Sequence, residues 1–261
     1  MGVPTLGCRC AVCTSTDIHD RRLRPSVLIR WNEASGESEL QRSVVIDTGP
    51  DFREQALRTQ ITRLDAIFYT HGHADHILGM DDLRPLSFGA QRENGPIPLY
   101  ASDETARILR QIYDYTFSPD TKYPTRARVQ LQPLSDRMRV HDVEFLRVPV
   151  MHGDMEITGY RFGNTAYLTD VSSIPESSYA MLEGLEHLAL SALRHTPHPN
   201  HATLKQAVEW ATRIGARHTW FTHIAHELGH ESTNRALPEN MKLAHDGLII
   251  PIDVSAARAS Q

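Results

Sequence analysis

Residues Phe68 to Met80 read FYTHGHADHILGM, and within six positions they hold His71, His73, Asp75 and His76. Histidine supplies 15 of the 261 residues, so a chance pair in a polar loop would be no surprise. Three imidazoles and a carboxylate spaced only by Gly72 and Ala74 are something else, a set of metal-ligand side chains. The run before them, Leu64 to Thr70 (LDAIFYT), is short, apolar and β-preferring, which predicts a buried strand that ends at the cluster. In a tight turn side chains two apart converge, so His71 and His73 can grip one ion while Asp75 and His76 face a neighbouring one. Imidazole and carboxylate without thiolate suit zinc, manganese or iron held for chemistry, whereas structural zinc more often uses cysteine.

The segment His71-Gly-His-Ala-Asp75-His76 resembles the HxHxDH motif of the metallo-β-lactamase superfamily. The resemblance implies an α/β fold, an αβ/βα four-layer sandwich with two divalent metals at one edge, and further ligands at later strand ends. Three candidates stand in the right order: His152 after Val148-Pro-Val-Met, Asp170 after Ala166-Tyr-Leu-Thr, and His223 after Trp220-Phe-Thr. Singly, each could be a capping residue or a hydrogen-bonded core residue. By the resemblance, His71, His73 and His152 hold one metal, Asp75, His76 and His223 the other, and Asp170 bridges them. Ile46-Asp47-Thr-Gly49 matches the superfamily's aspartate turn, which gives Asp47 the part of orienting the ligand loop from behind.

All three cysteines, Cys8, Cys10 and Cys13, lie in the opening MGVPTLGCRCAVC. None is left over for a disulfide framework, and no signal peptide precedes them, so a cytoplasmic chain with a structural zinc is the reading. Free buried thiols are the alternative. A fourth ligand is needed, and Thr222-His223-Ile-Ala-His226 resembles the segment that closes such a site in the phosphoribosyl 1,2-cyclic phosphate phosphodiesterases of the carbon-phosphorus lyase pathway; His226 is the candidate, with His230 or His19 as alternatives. A closed Cys3His tetrahedron leaves no place for water and pins the N-terminal loop. That subgroup carries a strand before its Gly-Val-Pro segment. Here Met1 stands directly before Gly2-Val3-Pro4, so an upstream start is expected, and the intact mass of natively expressed protein decides it.

Composition fits one globular domain over residues 1–261: 40% hydrophobic, 23% charged, with formal charge -5. The negative balance offers no basic field for long nucleic acids, and no run is long enough for a membrane span. Strands are predicted at Ser26 to Trp31, Ser43 to Asp47, Ile97 to Ala101 and Asp246 to Ile252, with hairpin material over Leu131 to Val150. A helix capped near Ser102 should carry Ile108, Leu109, Ile112 and Tyr113 on one face. A second, over Thr203 to Ile214, should carry Leu204, Ala207, Val208, Ala211 and Ile214. Phe117 to Arg128 reads as a loop beside the site or a lid. Arg21, Arg22 and Arg24 form a small basic run, which is either a solvated face or a phosphate contact.

The resemblance implies a metal-dependent phosphodiesterase that cleaves a small, cyclic or linear phosphodiester with hydroxide activated by two ions, manganese or zinc. The leaving alkoxide needs a proton, and His201, between a Pro-rich loop and a helix, matches the subgroup's general acid; its bland reading is an exposed imbidazole beside a capping Asn200. His195 and His198 compete for the part. Asp75 is expected to have a second task, orienting the water. The tRNA 3′-processing nucleases share the motifs but insert a long arm between the third histidine and the bridging aspartate, and His152 and Asp170 stand too close for one. A non-catalytic metal carrier, like the superfamily member linked to pyrroloquinoline quinone synthesis, is the rival from a different class. Relatives of this type often pair, so the resemblance allows a homodimer.

Overall fold

The computed structural model describes residues 2–35, 38–88, 95–119 and 122–253. The chain divides into two compact units, Arg24–Ser135 and Met1–Leu23 with Asp136–Gln261. Met1, and residues 120 and 121 within the expected Phe117 to Arg128 loop, lie outside the described residues.

The Arg24–Ser135 unit holds β1 (Val27–Ser35), β2 (Ser38–Ile46), α1 (Phe52–Arg58), β3 (Ala66–Phe68), α2 (Ala74–Ile77), α3 (Leu83–Phe88), β4 (Ile97–Ala101), α4 (Asp103–Ile112), α5 (Asp114–Phe117) and β5 (Val129–Pro133). Its sheet runs β1-β2-β3-β4-β5, with β1 antiparallel to β2 and the later pairs parallel. All three residues of β3 are buried, as a strand covered on both faces requires, which is why its sequence is a continuous apolar run and not an alternation. The core gathers Val45, Ile67, Leu99, Leu109 and Tyr113. Helix α4 begins as predicted: the Ser102 side chain accepts the Thr105 N–H. Its buried face is Ala106, Leu109 and Tyr113, however, and Ile112 is 45% exposed at the margin of the stripe.

The second unit holds β6 (Arg137–Val140), β7 (Val143–His152), β8 (Met155–Phe162), β9 (Thr165–Leu168), α6 (Glu176–Tyr179), β10 (His187–Ser191), α7 (Leu204–Ile214), β11 (His218–Thr222), α8 (His230–Ala236) and β12 (Met241–Leu243). The sheet order is β12-β11-β10-β9-β8-β7-β6, parallel from β12 to β9 and antiparallel from β9 to β6. Helix α7 lays Leu204, Ala207 and Ala211 into a core with Leu168, Leu188, Leu190 and Phe221. A capping box fixes its start, Thr203 accepting the Gln206 N–H while Gln206 accepts from Thr203 N–H, and Gly215 at φ 71 ends it.

Two expectations need correction. The closing strand is Met241–Leu243; Asp246 to Ile252 forms none, and Ile249 is 87% exposed. The apolar run is cut on one side by a turn, with Gly247 at φ 83 and Leu248 N–H on His245 carbonyl, and on the other by Pro251, which has no N–H for a ladder. The basic run is not solvated throughout: Arg21 is exposed, but the other two arginines are engaged within the protein. Arg22 is buried, donating to the carbonyls of Ala225 (3.2 Å) and Leu228 (2.6 Å) and to Asp20 (3.1 Å), while Arg24 pairs with Asp51 at 2.8 Å. No helix among the described residues is long and apolar enough to cross a membrane.

Because Thr203 satisfies an otherwise open N–H at the start of α7, Thr203→Ala should lower unfolding stability by about 1 kcal/mol, and Thr203→Ser by much less. Urea denaturation of the two variants beside wild type measures both.

Candidate functional site

The histidines and aspartates of the expected paired-metal set sit at or just beyond the ends of strands. In the Arg24–Ser135 unit, Asp47 follows β2 and His71 lies three residues beyond the end of β3. His73 precedes the short α2, which carries Asp75 and His76. Asp47 is fully buried and takes three hydrogen bonds: from Thr70 N–H (2.8 Å), from the Thr70 hydroxyl (2.7 Å) and from His76 Nδ1–H (2.7 Å). With its proton given to Asp47, the Thr70 oxygen is left to accept from His71 Nδ1 at 3.0 Å. Two imidazoles therefore have Nδ1 engaged by an oxygen, which leaves Nε2 with the lone pair a metal uses. His71 packs against His73 (ring centroids 4.5 Å apart) and His76 (4.3 Å). His71 and His76 are buried, Asp75 is half-buried and His73 is exposed.

The turn depends on glycine. A Cβ on Gly49 would fall 2.2 Å from the Asp75 carbonyl oxygen, so the aspartate turn and the ligand turn approach as closely as they do only with hydrogen at that position.

In the second unit, His152 ends β7, Asp170 follows β9 and His223 follows β11. His152 Nδ1–H donates to the Asp170 carbonyl oxygen at 2.7 Å, the same arrangement again. His223 Nε2 lies 3.3 Å from one carboxylate oxygen of Asp170, and His201 Nδ1 lies 3.9 Å from the other. The nearest ring atoms and carboxylate oxygens of Asp170, His201 and His223 fall within 4.8 Å of one another. His201 stacks on His223 at 5.0 Å and meets His152 edge-on at 4.7 Å. Its buried Nδ1 makes no hydrogen bond among the described residues. Burial, opposed by Asp170 and reinforced by the neighbouring imidazoles, takes His201 down to about 3, so the free protein holds it neutral.

Asp47, Asp170 and His223 all have positive φ, at 63°, 56° and 52°. A left-handed backbone at a side chain other than glycine costs energy, and its recurrence at three strand ends marks positions held for where the side chain points. The interval between His152 and Asp170 is filled by β8 and β9, which leaves no room for a long inserted arm.

Cys8, Cys10, Cys13 and His226 come together in the second unit. The three sulfurs lie 3.2, 3.5 and 3.5 Å from His226 Nδ1. A tetrahedral zinc with ordinary Zn–S and Zn–N bonds would place sulfur and nitrogen about 3.5 Å apart, so the donor set fits that ion. Backbone N–H groups point at the sulfurs, Thr5 at Cys13, Cys10 at Cys8 and Cys13 at Cys10. The Cys13 N–H, against burial, brings the Cys10 thiol down to about 6, while burial raises Cys13. His230 and His19 do not join this set; they pack with His245 in a separate imidazole cluster, with ring centroids 4.3 to 5.8 Å apart. Two contributors escaped the sequence reading. Thr70 links Asp47 to His71, and its place directly before the first histidine was the available signal. Glu227 binds the loop that leads to His201, and nothing in the residues around it announces that.

The Beta-lactamase superfamily domain matches residues 42–224. A crystal structure of a diphosphatase from the PhnP family is 53% identical, with TM-score 0.86, covering 95% of this chain and 91% of that one. Zinc-bound PqqB from Methylobacterium extorquens, at 21% identity and TM-score 0.67 over 96% of both chains, shares the fold. An octanoyltransferase of Porphyromonas gingivalis is 34% identical over 98% of this chain and 50% of its own length, so the chain spans about half of that relative.

Asp47→Asn puts an amide where three donors converge and should weaken metal binding by about 10- to 100-fold, as loss of an outer-shell partner does; isothermal titration of stripped protein measures it. Cys13→Ser should cost one equivalent of zinc by elemental analysis while the histidine-bound metal stays.

Proposed function

The chain belongs to the β-lactamase superfamily and has the metallo-β-lactamase fold, and on that premise we propose that it is a metal-dependent hydrolase that cleaves a phosphorus–oxygen bond in a small phosphodiester, cyclic or linear. The support that weighs most is the 53% identity, over nearly the whole of both chains, with a PhnP-family diphosphatase. That neighbour also favours a second substrate form, a diphosphate whose two phosphorus atoms are each esterified. Such a phosphorus carries one charge and two bridging oxygens, as a phosphodiester does, so one site chemistry serves both. The octanoyltransferase is about twice this chain's length, and no acyl transfer is taken from it.

In this reading His71, His73 and His152 would hold one divalent ion and Asp75, His76 and His223 a second, with Asp170 shared; zinc or manganese suits these donors. Bound there, the ions supply an acidified water and neutralise charge on the phosphoryl oxygens. The chain's own groups do the rest. Thr70, Asp47 and the Asp170 carbonyl keep three imidazoles in the ligating tautomer. Asp75, half-buried, orients the attacking water. His201 faces the Asp170 carboxylate and two ligand imidazoles; neutral in the free protein, it would take the proton that the attacking water gives up and pass it to the leaving oxygen. The Cys3His set holds a third ion with no position open to water, a structural part.

Stripped protein given back zinc or manganese should hydrolyse bis(p-nitrophenyl) phosphate, a ribose cyclic phosphate or a P1,P2-disubstituted diphosphate. Asp170→Ala should fall to background, and His201→Ala should lose about 10²- to 10⁴-fold in kcat, the range for a general acid. A folded, metal-loaded protein that turns over none of the three would sink the reading and favour a metal carrier.

A further inference from the structure

His226 and Glu227 are neighbours in the chain, yet their side chains serve different places. His226 joins the cysteines, while Glu227 reaches the loop between β10 and α7. Glu227 Oε2 accepts from His195 N–H (3.1 Å), Thr196 N–H (3.0 Å) and the Thr196 hydroxyl (3.0 Å). Its other oxygen lies 3.8 Å from Arg194 Nε. Arg194 in turn donates to the carbonyls of Thr196 (3.0 Å) and Pro197 (3.2 Å), so the loop head closes around the carboxylate. Those bonds, the Thr196 N–H first, hold the Glu227 carboxyl below the usual carboxylate range.

The base of the same loop is fastened by backbone: Leu193 N–H to Ala202 carbonyl (3.0 Å), Leu204 N–H to Arg194 carbonyl (2.9 Å) and Ala202 N–H to Val171 carbonyl (2.7 Å). The head is different. His195, Thr196 and Pro197 are exposed, with little apolar packing to order them. Among the described residues no side chain outside the loop other than Glu227 hydrogen-bonds residues 195–201. Beyond the head the chain makes an isolated bridge, His198 to His201, with His198 Nδ1 accepting the Asn200 N–H (3.2 Å) and the two rings 4.8 Å apart.

A bare surface ion pair between Glu227 and Arg194 would be worth little. Three hydrogen bonds to one oxygen, two of them from successive backbone amides, define a loop conformation in a way a lone ion pair does not. We propose that Glu227 is a positioning residue that ties the Cys3His knuckle, through its neighbour His226, to the loop that presents His198 and His201. The knuckle then has a task at the reaction centre besides pinning the N-terminus. This inference rests on the reading above for His201, though its structural half stands on the hydrogen bonds alone.

Glu227→Ala and Glu227→Gln test it, with zinc content measured for each. In the alanine variant, amide hydrogen exchange over residues 195–201 should quicken by about tenfold or more while α7 keeps its protection and zinc content is unchanged. Glutamine, which keeps a carbonyl acceptor, should restore most of the protection. Cys13→Ser should loosen the same amides. On the phosphodiester that wild type hydrolyses best, Glu227→Ala should lower kcat by about tenfold or more with KM little changed, and adding His201→Ala should cost less than it does alone. Unchanged exchange at 195–201, or losses that simply multiply, would overturn the proposal. Should wild type hydrolyse no phosphate substrate, the functional reading fails by itself and the exchange data still decide the part of Glu227.

Discussion

Asp47 has no exposed surface, and a carboxylate in such a place is tolerable because both of its oxygens accept hydrogen bonds, three in all. Thr70 donates two of them and His76 the third. The consequence runs outward. Holding Thr70 fixes the end of β3 and hands a hydroxyl oxygen to His71, and holding His76 fixes α2, which in turn sets Asp75. The left-handed backbone at Asp47 and the hydrogen-only space at Gly49 follow from the same demand, since both bring the aspartate turn against the ligand turn. A single buried anion thus organises the side chains of His71, Asp75 and His76, and donors aimed in advance are what would give a metal its affinity there.

In the second unit the equivalent organiser is a segment, residues 222–230. Arg22 donates to the carbonyls of Ala225 and Leu228, His223 lies against Asp170, His226 meets three sulfurs, and Glu227 binds the 194–197 loop. The Asp20 carboxylate joins in by accepting from His230 N–H as well as from Arg22. This explains why Arg22, in a basic run that looked available to a phosphate, is not. A guanidinium that donates to two buried carbonyls and a carboxylate has been spent on structure, and removing it would take a donor from each of them.

Much of this was legible in the residues. Candidate metal donors stand out because both parts of the signal are local, an apolar run and a cluster of rare side chains after it; His71 through His76, His152, Asp170 and His223 all stand at or just beyond strand ends. The Cys3His set was legible for its three cysteines by spacing and for His226 only by resemblance, since 213 residues separate Cys13 from it. The failures are also physical. The run Leu248-Ile-Ile had the composition of a strand, but pairing needs free N–H groups and an extended backbone, and Gly247 and Pro251 denied both. Ile112 was placed on a buried face by period alone, and period does not say how wide the buried stripe is.

What separates the legible from the hidden is the kind of group that makes the contact. A metal is held by side chains whose identity is itself the signal, so a motif betrays it. The 195–201 loop is held through main-chain amides, which every residue but proline owns, and the acid that binds them, Glu227, is of a type common on any surface. Reaction class therefore surfaces from sequence sooner than the placement of the group that selects and protonates a leaving oxygen. Loops fastened by backbone can change their sequence while keeping their fastening, which is how one set of strand-end ligands can serve several leaving groups across a fold.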